Sequence, residues 1–311
     1  MLKVLRSPLI GLAVFAGPGC GGSNPPSPAA PEQPLDLGVV VMAHGGTAQW
    51  NDEVEAAVDP LRARYPVAVA FGMADPATLQ VAVSQVERQG ASRIAVVRLF
   101  ISGDSWRVRT EQILGVRPGA PLRAGPPAAA AGHEHGGGEP AGALWRIGTR
   151  ARLAMSQEGL AEAAGMGEVL LDRARALSAD PRREVVLIMA HGPGDPAENA
   201  RWISWIEARA ETVRRALPFR RVLVMTLRED WPEHREVAVR EIRSAVQAAT
   251  SNGHTALVIP YRVQGFGPYA EVLDGLRYLS DGRGLLPHPA VTRWIADQVE
   301  EMRRGVLSAA P

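Results

Sequence analysis

The sequence has very little cysteine, few aromatic residues and almost no net charge. Cys20 is the one cysteine among 311 residues, so neither an internal disulfide bond nor a cysteine-based zinc site can form. Aromatic residues make up 5%, and 34 Lys and Arg nearly balance 33 Asp and Glu. Because nucleic-acid-binding proteins carry basic surfaces and often aromatic stacking platforms, this composition argues against a nucleic-acid partner. Hydrophobic residues, at 46%, are sufficient for a sizeable core.

The sequence also lacks an uninterrupted apolar run long enough to span a bilayer. Its N-terminus has a shorter pattern, in which basic Lys3 and Arg6 precede an apolar run at 9–16 and then Cys20. This pattern resembles a bacterial lipoprotein signal, whose cysteine is lipidated and becomes the new N-terminus. Residues 21–34, rich in Gly, Pro and Ser, would then form a tether. We therefore expect an exported protein whose only membrane attachment is a lipid anchor at Cys20. The alternative is a cytoplasmic protein with a frayed N-terminus.

An internal repeat is the most specific feature of the chain. The sequence VVVMAHG at 39–45 recurs as VLIMAHG at 186–192. Each copy is a run of aliphatic residues that ends abruptly at His-Gly, which is typical of a strand buried on both faces of a parallel sheet. The chain therefore contains two copies of one structural unit.

Helical and strand patterns alternate after each copy of the repeat. In the first half the patterns predict helices over 51–65, 76–89 and 160–177 and strands over 67–71 and 94–101, and the segment 144–149 closes this half together with the last helix. In the second half they predict helices over 198–217, 232–251 and 290–304 and strands over 222–226 and 255–263. This alternation predicts an α/β fold of two similar three-layer lobes with mostly parallel sheets.

The domain prediction follows from the same pattern. Residues 1–35 are the signal and tether, residues 36–179 form the first lobe, and residues 180–307 form the second. The first lobe carries an insert at 118–142 composed mostly of Ala, Gly and Pro, with a few His, which we expect to be a mobile loop.

His44 and His191 are the strongest site candidates. Both follow a predicted buried strand, and open α/β sheets bind ligands beyond the carboxyl ends of their strands. Imidazole is neutral near physiological pH and binds cobalt, iron and nickel well. We therefore predict both histidines as catalytic residues and metal ligands that face one cleft between the lobes. The alternative is that each histidine only satisfies a buried turn.

The order of these segments resembles that of the class II chelatases, the CbiX/SirB-type enzymes that insert Co(II) or Fe(II) into sirohydrochlorin, in a duplicated two-lobe form. The matching features are Met-Ala-His-Gly at 42–45 and 189–192, Asp75-Pro76 before a helix, and a helix ending at Gly90 before the strand 94–101. The resemblance implies a chelatase, which is a lyase, with Co, Fe or Ni as substrate or ligand, a tetrapyrrole partner and no organic cofactor. The alternative is an exported, catalytically degenerate lipoprotein that binds a metal or a tetrapyrrole.

The family has a second histidine just after its third strand, in a Gly-x-His setting. The corresponding segments here, 102–106 and 264–268, contain no histidine. Asp104, Asp195 and Glu271 are candidates to complete the metal site. Each also has a simpler explanation, as a turn residue, a helix cap and a solvated helix position respectively.

Arginines lie in or near the third strand of each half. Arg98, Arg107 and Arg262 are candidates to bind the carboxylates of a tetrapyrrole substrate, because guanidinium groups pair bidentately with carboxylates. Surface salt bridges are the alternative.

Overall fold

The computed structural model of the protein describes residues 36–122, 144–305 and 307. The proposed lipidation site Cys20, the tether and most of the insert at 118–142 lie outside these ranges.

The first half of the chain contains a four-stranded parallel sheet with the order β2-β1-β3-β4. Its strands are β1 (Leu37–Ala43), β2 (Val67–Phe71), β3 (Arg93–Leu99) and β4 (Arg152–Met155). The repeat strand β1 is central, and Val41 pairs with Val69 on one side and Val97 on the other. Every residue of β1 is buried, as its uninterrupted apolar run predicts.

Helices connect these strands and cover the sheet. They are α1 (Ala48–Val58), which continues into a 3-10 helix (Asp59–Ala63), α2 (Pro76–Arg88), α3 (Arg107–Leu114) and α4 (Met166–Leu177). Thr47 and Asp75 cap α1 and α2 by accepting hydrogen bonds from the backbone N–H groups of Trp50 and Ala77. Pro76 occupies the first position of α2, where its missing N–H costs nothing.

The second half repeats this arrangement with three parallel strands in the order β6-β5-β7. The strands are β5 (Glu184–Ala190), β6 (Arg221–Thr226) and β7 (Thr255–Tyr261). The helices are α5 (Pro196–Ala216), α6 (Pro232–Ser251), α7 (Tyr269–Val272) and α8 (Pro289–Arg304), and a 3-10 helix (Pro181–Arg183) precedes β5. Where the first half has β4, this half has an isolated parallel bridge between Leu257 and Leu279.

Alternate residues of the central strands point into different hydrophobic clusters. Val41 of β1 and Ile188 of β5 belong to one central cluster, together with residues of α1, α4, α5 and α8. Met42 faces a cluster with α2 and α3, and Met189 faces one with α6 and α7. Each sheet is therefore covered on both faces, which confirms the predicted α/β class with parallel sheets. The two halves share the central hydrophobic layer.

The first half differs from the prediction in two helix bounds and in its fourth strand. The helix predicted over 51–65 ends at Val58, because Pro60 follows and cannot donate the next helical hydrogen bond. The helix predicted over 160–177 begins at Met166. Residues 144–149 contribute a bridge between Arg146 and Leu122, and the fourth strand, which was not predicted, begins at Arg152. Within the part of the chain that the structure describes, no helix has both the length and the apolar character needed to cross a membrane.

Candidate functional site

His44 and His191 occupy equivalent backbone turns, one at the carboxyl end of β1 and the other at the carboxyl end of β5. Gly45 and Gly192 follow them with φ angles of 82° and 76°, a conformation that favours glycine. The Nδ1 atom of His44 lies 2.7 Å from the Gly45 carbonyl oxygen, and that of His191 lies 2.8 Å from the Gly192 carbonyl oxygen. A carbonyl can only accept, so Nδ1 carries a proton in both residues and Nε2 keeps the lone pair that can accept a proton or bind a metal.

A tryptophan flanks each of these histidines. The ring of Trp50 lies 6.5 Å from that of His44, and the ring of Trp231 lies 6.0 Å from that of His191. Trp231 is partly exposed. The rim of the site is therefore apolar beside both imidazoles, whereas its centre is polar.

Two acidic residues on the loop after β6 face His191. The Nε2 atom of His191 lies 3.0 Å from Oδ2 of Asp230 and 4.0 Å from Oε2 of Glu229. Arg228 starts this turn with a φ of 58°, and its N–H donates to the His191 carbonyl. With Nδ1 protonated, Nε2 and the Asp230 carboxylate both present lone pairs across 3.0 Å. A positive species, either a proton or a metal ion, must lie between them.

In the metal-free protein that species is a proton. Burial disfavours the charged imidazole, but the hydrogen bond to Asp230 and the charges of Glu229 and Asp230 outweigh burial, so the pKa of His191 is raised above 6.5. The hydrogen bond to His191 lowers the pKa of Asp230 below 3.8, against a smaller opposing contribution from burial. Each member of the pair thus favours the charged form of the other.

His44, in the other half of the chain, acts electrostatically on the same acid. Its positive charge, when protonated, is among the influences that lower the pKa of Asp230. At the corresponding place after β2, the first half has Asp75, which accepts a hydrogen bond from the Ala77 N–H as the cap of α2. The two carboxylates beside His191 come from the second half.

Arg262, predicted to bind substrate carboxylates, instead pairs with a carboxylate of the protein. Its Nη1 atom forms a close ion pair with Oε1 of Glu229. The guanidinium also lies 5.7 Å from the ring centroid of the fully buried Tyr269. Arg262 is therefore part of the site, and it acts on Glu229.

The position of Arg98 does not fit the substrate role predicted for it. The residue is 1% exposed. Its guanidinium donates to the carbonyl oxygens of Gly103 (2.6 Å), Ser105 (2.8 Å) and Ser156 (3.0 and 3.1 Å). Burial lowers the pKa of Arg98 to about 10, which still leaves it charged at neutral pH. Arg98 joins the loop after β3 to the loop after β4, and it has no free face for a ligand.

The remaining predicted residues have local partners. Asp104 and Arg107 form a half-exposed ion pair of 2.9 Å with each other. Asp195 caps α5 by accepting from the Glu198 N–H at 2.7 Å, which was the simpler explanation. Glu271 is 80% exposed and lies 3.9 Å from Arg235. Across residues 36–122, 144–305 and 307, none of the three acids joins His44 or His191 in a preformed three-ligand group.

A separate group of potential ligands lies between α4 and the start of α8. Atoms of Glu168, Asp172 and His288 lie within 4.8 Å of one another. His288 Nδ1 accepts from the Ala290 N–H at 3.1 Å, so its proton is on Nε2, which faces Asp172 at 3.3 Å. Arg293 pairs with Glu168 at 2.6 Å. The free lone pair that a metal needs is thus already used, and His288 serves as a helix cap.

Sequence reasoning missed Glu229 and Asp230, although a signal for them existed. An acidic residue and a proline after the second strand were noted in the first half, at Asp75 and Pro76. The second half has the same pattern after β6, where Glu229 and Asp230 precede Pro232. Applying the repeat to this segment would have identified both acids.

The solved structures that share this architecture include chelatases. The match to SirB from Bacillus subtilis with Fe3+ covers 88% of this chain and 97% of the SirB chain, with 15% identity and a TM-score of 0.58. The sirohydrochlorin chelatase SirB from Bacillus subtilis subspecies spizizenii, in complex with cobalt, matches the same shares of both chains, with 15% identity and a TM-score of 0.55. These likenesses show that the fold is chelatase-like.

A multi-domain protein from Deinococcus radiodurans, described as structurally similar to chelatases but with two additional novel domains, matches 85% of this chain. The identity is 20% and the TM-score 0.50, and the chain spans about half, 54%, of that protein's length. No protein-family model and no curated protein matches the sequence.

Proposed function

We propose that this protein is a chelatase-like protein that binds a divalent metal ion at His191 and Asp230 and inserts it into a tetrapyrrole. The observation that carries the proposal is the 3.0 Å approach of His191 Nε2 to Asp230 Oδ2 with Nδ1 already tied to a carbonyl. Co(II), Fe(II) and Ni(II) are the metals that this mixture of imidazole and carboxylate suits.

The spacing of the pair fits a shared metal ion. Two ligand atoms that bind one ion at about 2.1 Å and at right angles lie about 3 Å apart. The metal would take the place of the proton that His191 and Asp230 share. Glu229, with Oε2 at 4.0 Å from His191 Nε2, is the next ligand within reach. His44 completes the set from the opposite side of the site.

The surroundings of the pair suit a flat, polyanionic macrocycle. Trp50 and Trp231 provide apolar surfaces beside the two histidines. His44 is exposed and has its Nε2 free of the Gly45 contact, so once the metal passes to the macrocycle this nitrogen can accept one of the two pyrrole N–H protons, and the His191–Asp230 pair can take up the other. The likeness to sirohydrochlorin chelatases supports sirohydrochlorin as the first macrocycle to test.

The test is an anaerobic assay with sirohydrochlorin and Co(II), followed by absorbance from pH 6 to 9. A protonated imidazole cannot bind metal, and the pKa of His191 is raised above 6.5. We therefore expect the insertion rate to rise with pH through this raised pKa, and the midpoint to fall in Asp230→Asn, which loses the hydrogen bond that holds the proton. If the rate with the protein equalled the rate of spontaneous insertion at every pH, the proposed insertion activity would be contradicted.

The binding-protein alternative has its own support, because the loops at 102–106 and 264–268 lack a histidine. In that case calorimetry would detect Co(II) binding at His191 while the assay detected no insertion. The same two measurements therefore separate the two functions.

For location we propose an exported protein anchored by lipid at Cys20. One acyl chain binds membranes only marginally, so a lipoprotein needs the several chains that its modified cysteine carries. Cys20→Ser should move the protein from the membrane fraction to the soluble fraction of its native host. A wild-type protein found in the cytoplasm would contradict both the anchor and export.

A further inference from the structure

The two carboxylate oxygens of Glu229 face different groups, Arg262 and His191. Its side chain is only 13% exposed, so its charge needs a counter-ion close by. Oε1 forms the ion pair with Arg262, whereas Oε2 lies 4.0 Å from His191 Nε2, beyond hydrogen-bond distance. The carboxylate is thus turned toward the guanidinium and away from the place between His191 and Asp230.

The protein holds Arg262 in this position. Its guanidinium lies 5.7 Å from the centroid of the buried Tyr269 ring. Gly267, with a φ of 60°, packs against another side of the guanidinium and leaves space for it, since a Cβ atom at this position would lie 2.7 Å from the guanidinium carbon. The charge of Arg262 also reaches Asp230, whose pKa it helps to lower. The guanidinium is therefore a fixed cation at the edge of the site.

We propose that Arg262 sets the affinity of the site, because it acts as a resident counter-cation and competes with the incoming metal ion for the carboxylate of Glu229. The inference rests on the proposed metal site. Two effects have the same sign: the guanidinium occupies Glu229, and its positive charge repels a divalent cation. Arg262 thereby keeps the metal loosely bound, which favours its release into another ligand.

The test is calorimetric titration of the full chain with Co(II) at pH 8. Removing the charge in Arg262→Gln takes away the ion pair of Glu229, so the variant should bind Co(II) at least about tenfold more tightly than the wild type. The gain should vanish in Glu229→Gln/Arg262→Gln, because it depends on the released carboxylate. Arg214→Gln is the matched control. This substitution removes an arginine of similar exposure on the same half of the chain, where it pairs with Glu207 at 2.5 Å. The affinity of this variant for Co(II) should equal that of the wild type.

Arg262→Met provides a second variant if glutamine disturbs the fold, because its unbranched side chain retains the packing against Tyr269. It should show the same gain, and Co(II) should raise its Tm by more than it raises that of the wild type. If Co(II) binds the wild type through His191 but binds both Arg262 variants equally or more weakly, the inference is wrong and the proposed function stands. If Co(II) binds neither the wild type nor the variants, both are wrong.

Discussion

His191→Ala is expected to weaken Co(II) binding by more than about 100-fold, because losing a supporting residue of a metal site costs 10–100-fold and His191 is a proposed ligand itself. The variant keeps Asp230 and Glu229 but loses the nitrogen that lies 3.0 Å from the Asp230 carboxylate. His44→Ala should cost about tenfold, a loss at the low end of that range, because the two proposed carboxylate ligands, Glu229 and Asp230, lie beside His191 and not on the same half as His44.

Calorimetry at pH 8 measures both effects, and circular dichroism shows whether the variants remain folded. His288→Ala is the matched control, since His288 belongs to the other group of acids, with Glu168 and Asp172. If His288→Ala lost Co(II) binding and His191→Ala retained it, the metal site would lie between α4 and α8 instead.

Arg98→Met is expected to destabilise the protein by at least about 3 kcal/mol, because buried hydrogen-bond acceptors left without a partner cost about 1–3 kcal/mol each. The substitution preserves the apolar part of the side chain but removes the donors to the carbonyls of Gly103, Ser105 and Ser156. Urea denaturation should therefore show a lower midpoint.

The exposed neighbour Arg107 offers the comparison for this prediction. Arg107→Gln breaks an ion pair with Asp104 whose partners are each about two-fifths exposed, so the free energy of unfolding should change by less than about 1 kcal/mol. Equal effects of the two substitutions would mean that the Arg98 network contributes little to stability.

Most of the fold could be predicted from the sequence because its signals are local. The aliphatic runs that end at His44 and His191 specify buried parallel strands, and caps such as Asp75 mark where helices begin. The fourth strand was not predicted, because 144–149 and 152–155 are both short and partly apolar. Which of them joins the sheet depends on the partner β3, which no local pattern reveals.

The site was predictable only in part for a related reason. The two histidines recur in sequence, so their positions at the strand ends could be inferred from the repeat. The roles of Arg98 and Arg262 could not, because a buried arginine and a ligand-binding arginine look the same in sequence. Only tertiary packing turns Arg98 toward carbonyl oxygens and Arg262 toward Glu229.

The hydrophobic layer that the two halves share limits how the site can open. Val41, Ile188 and residues of α1, α4, α5 and α8 lie in one continuous apolar cluster, and the Tyr261 hydroxyl crosses it to donate to the Leu160 carbonyl at 2.9 Å. Moving the halves apart as rigid bodies would expose this layer to water, at a cost proportional to the apolar area uncovered. We therefore expect a ligand to enter over the rim, with rotation of side chains such as Trp231, and not through the hinge motion that often accompanies two-lobed binding proteins.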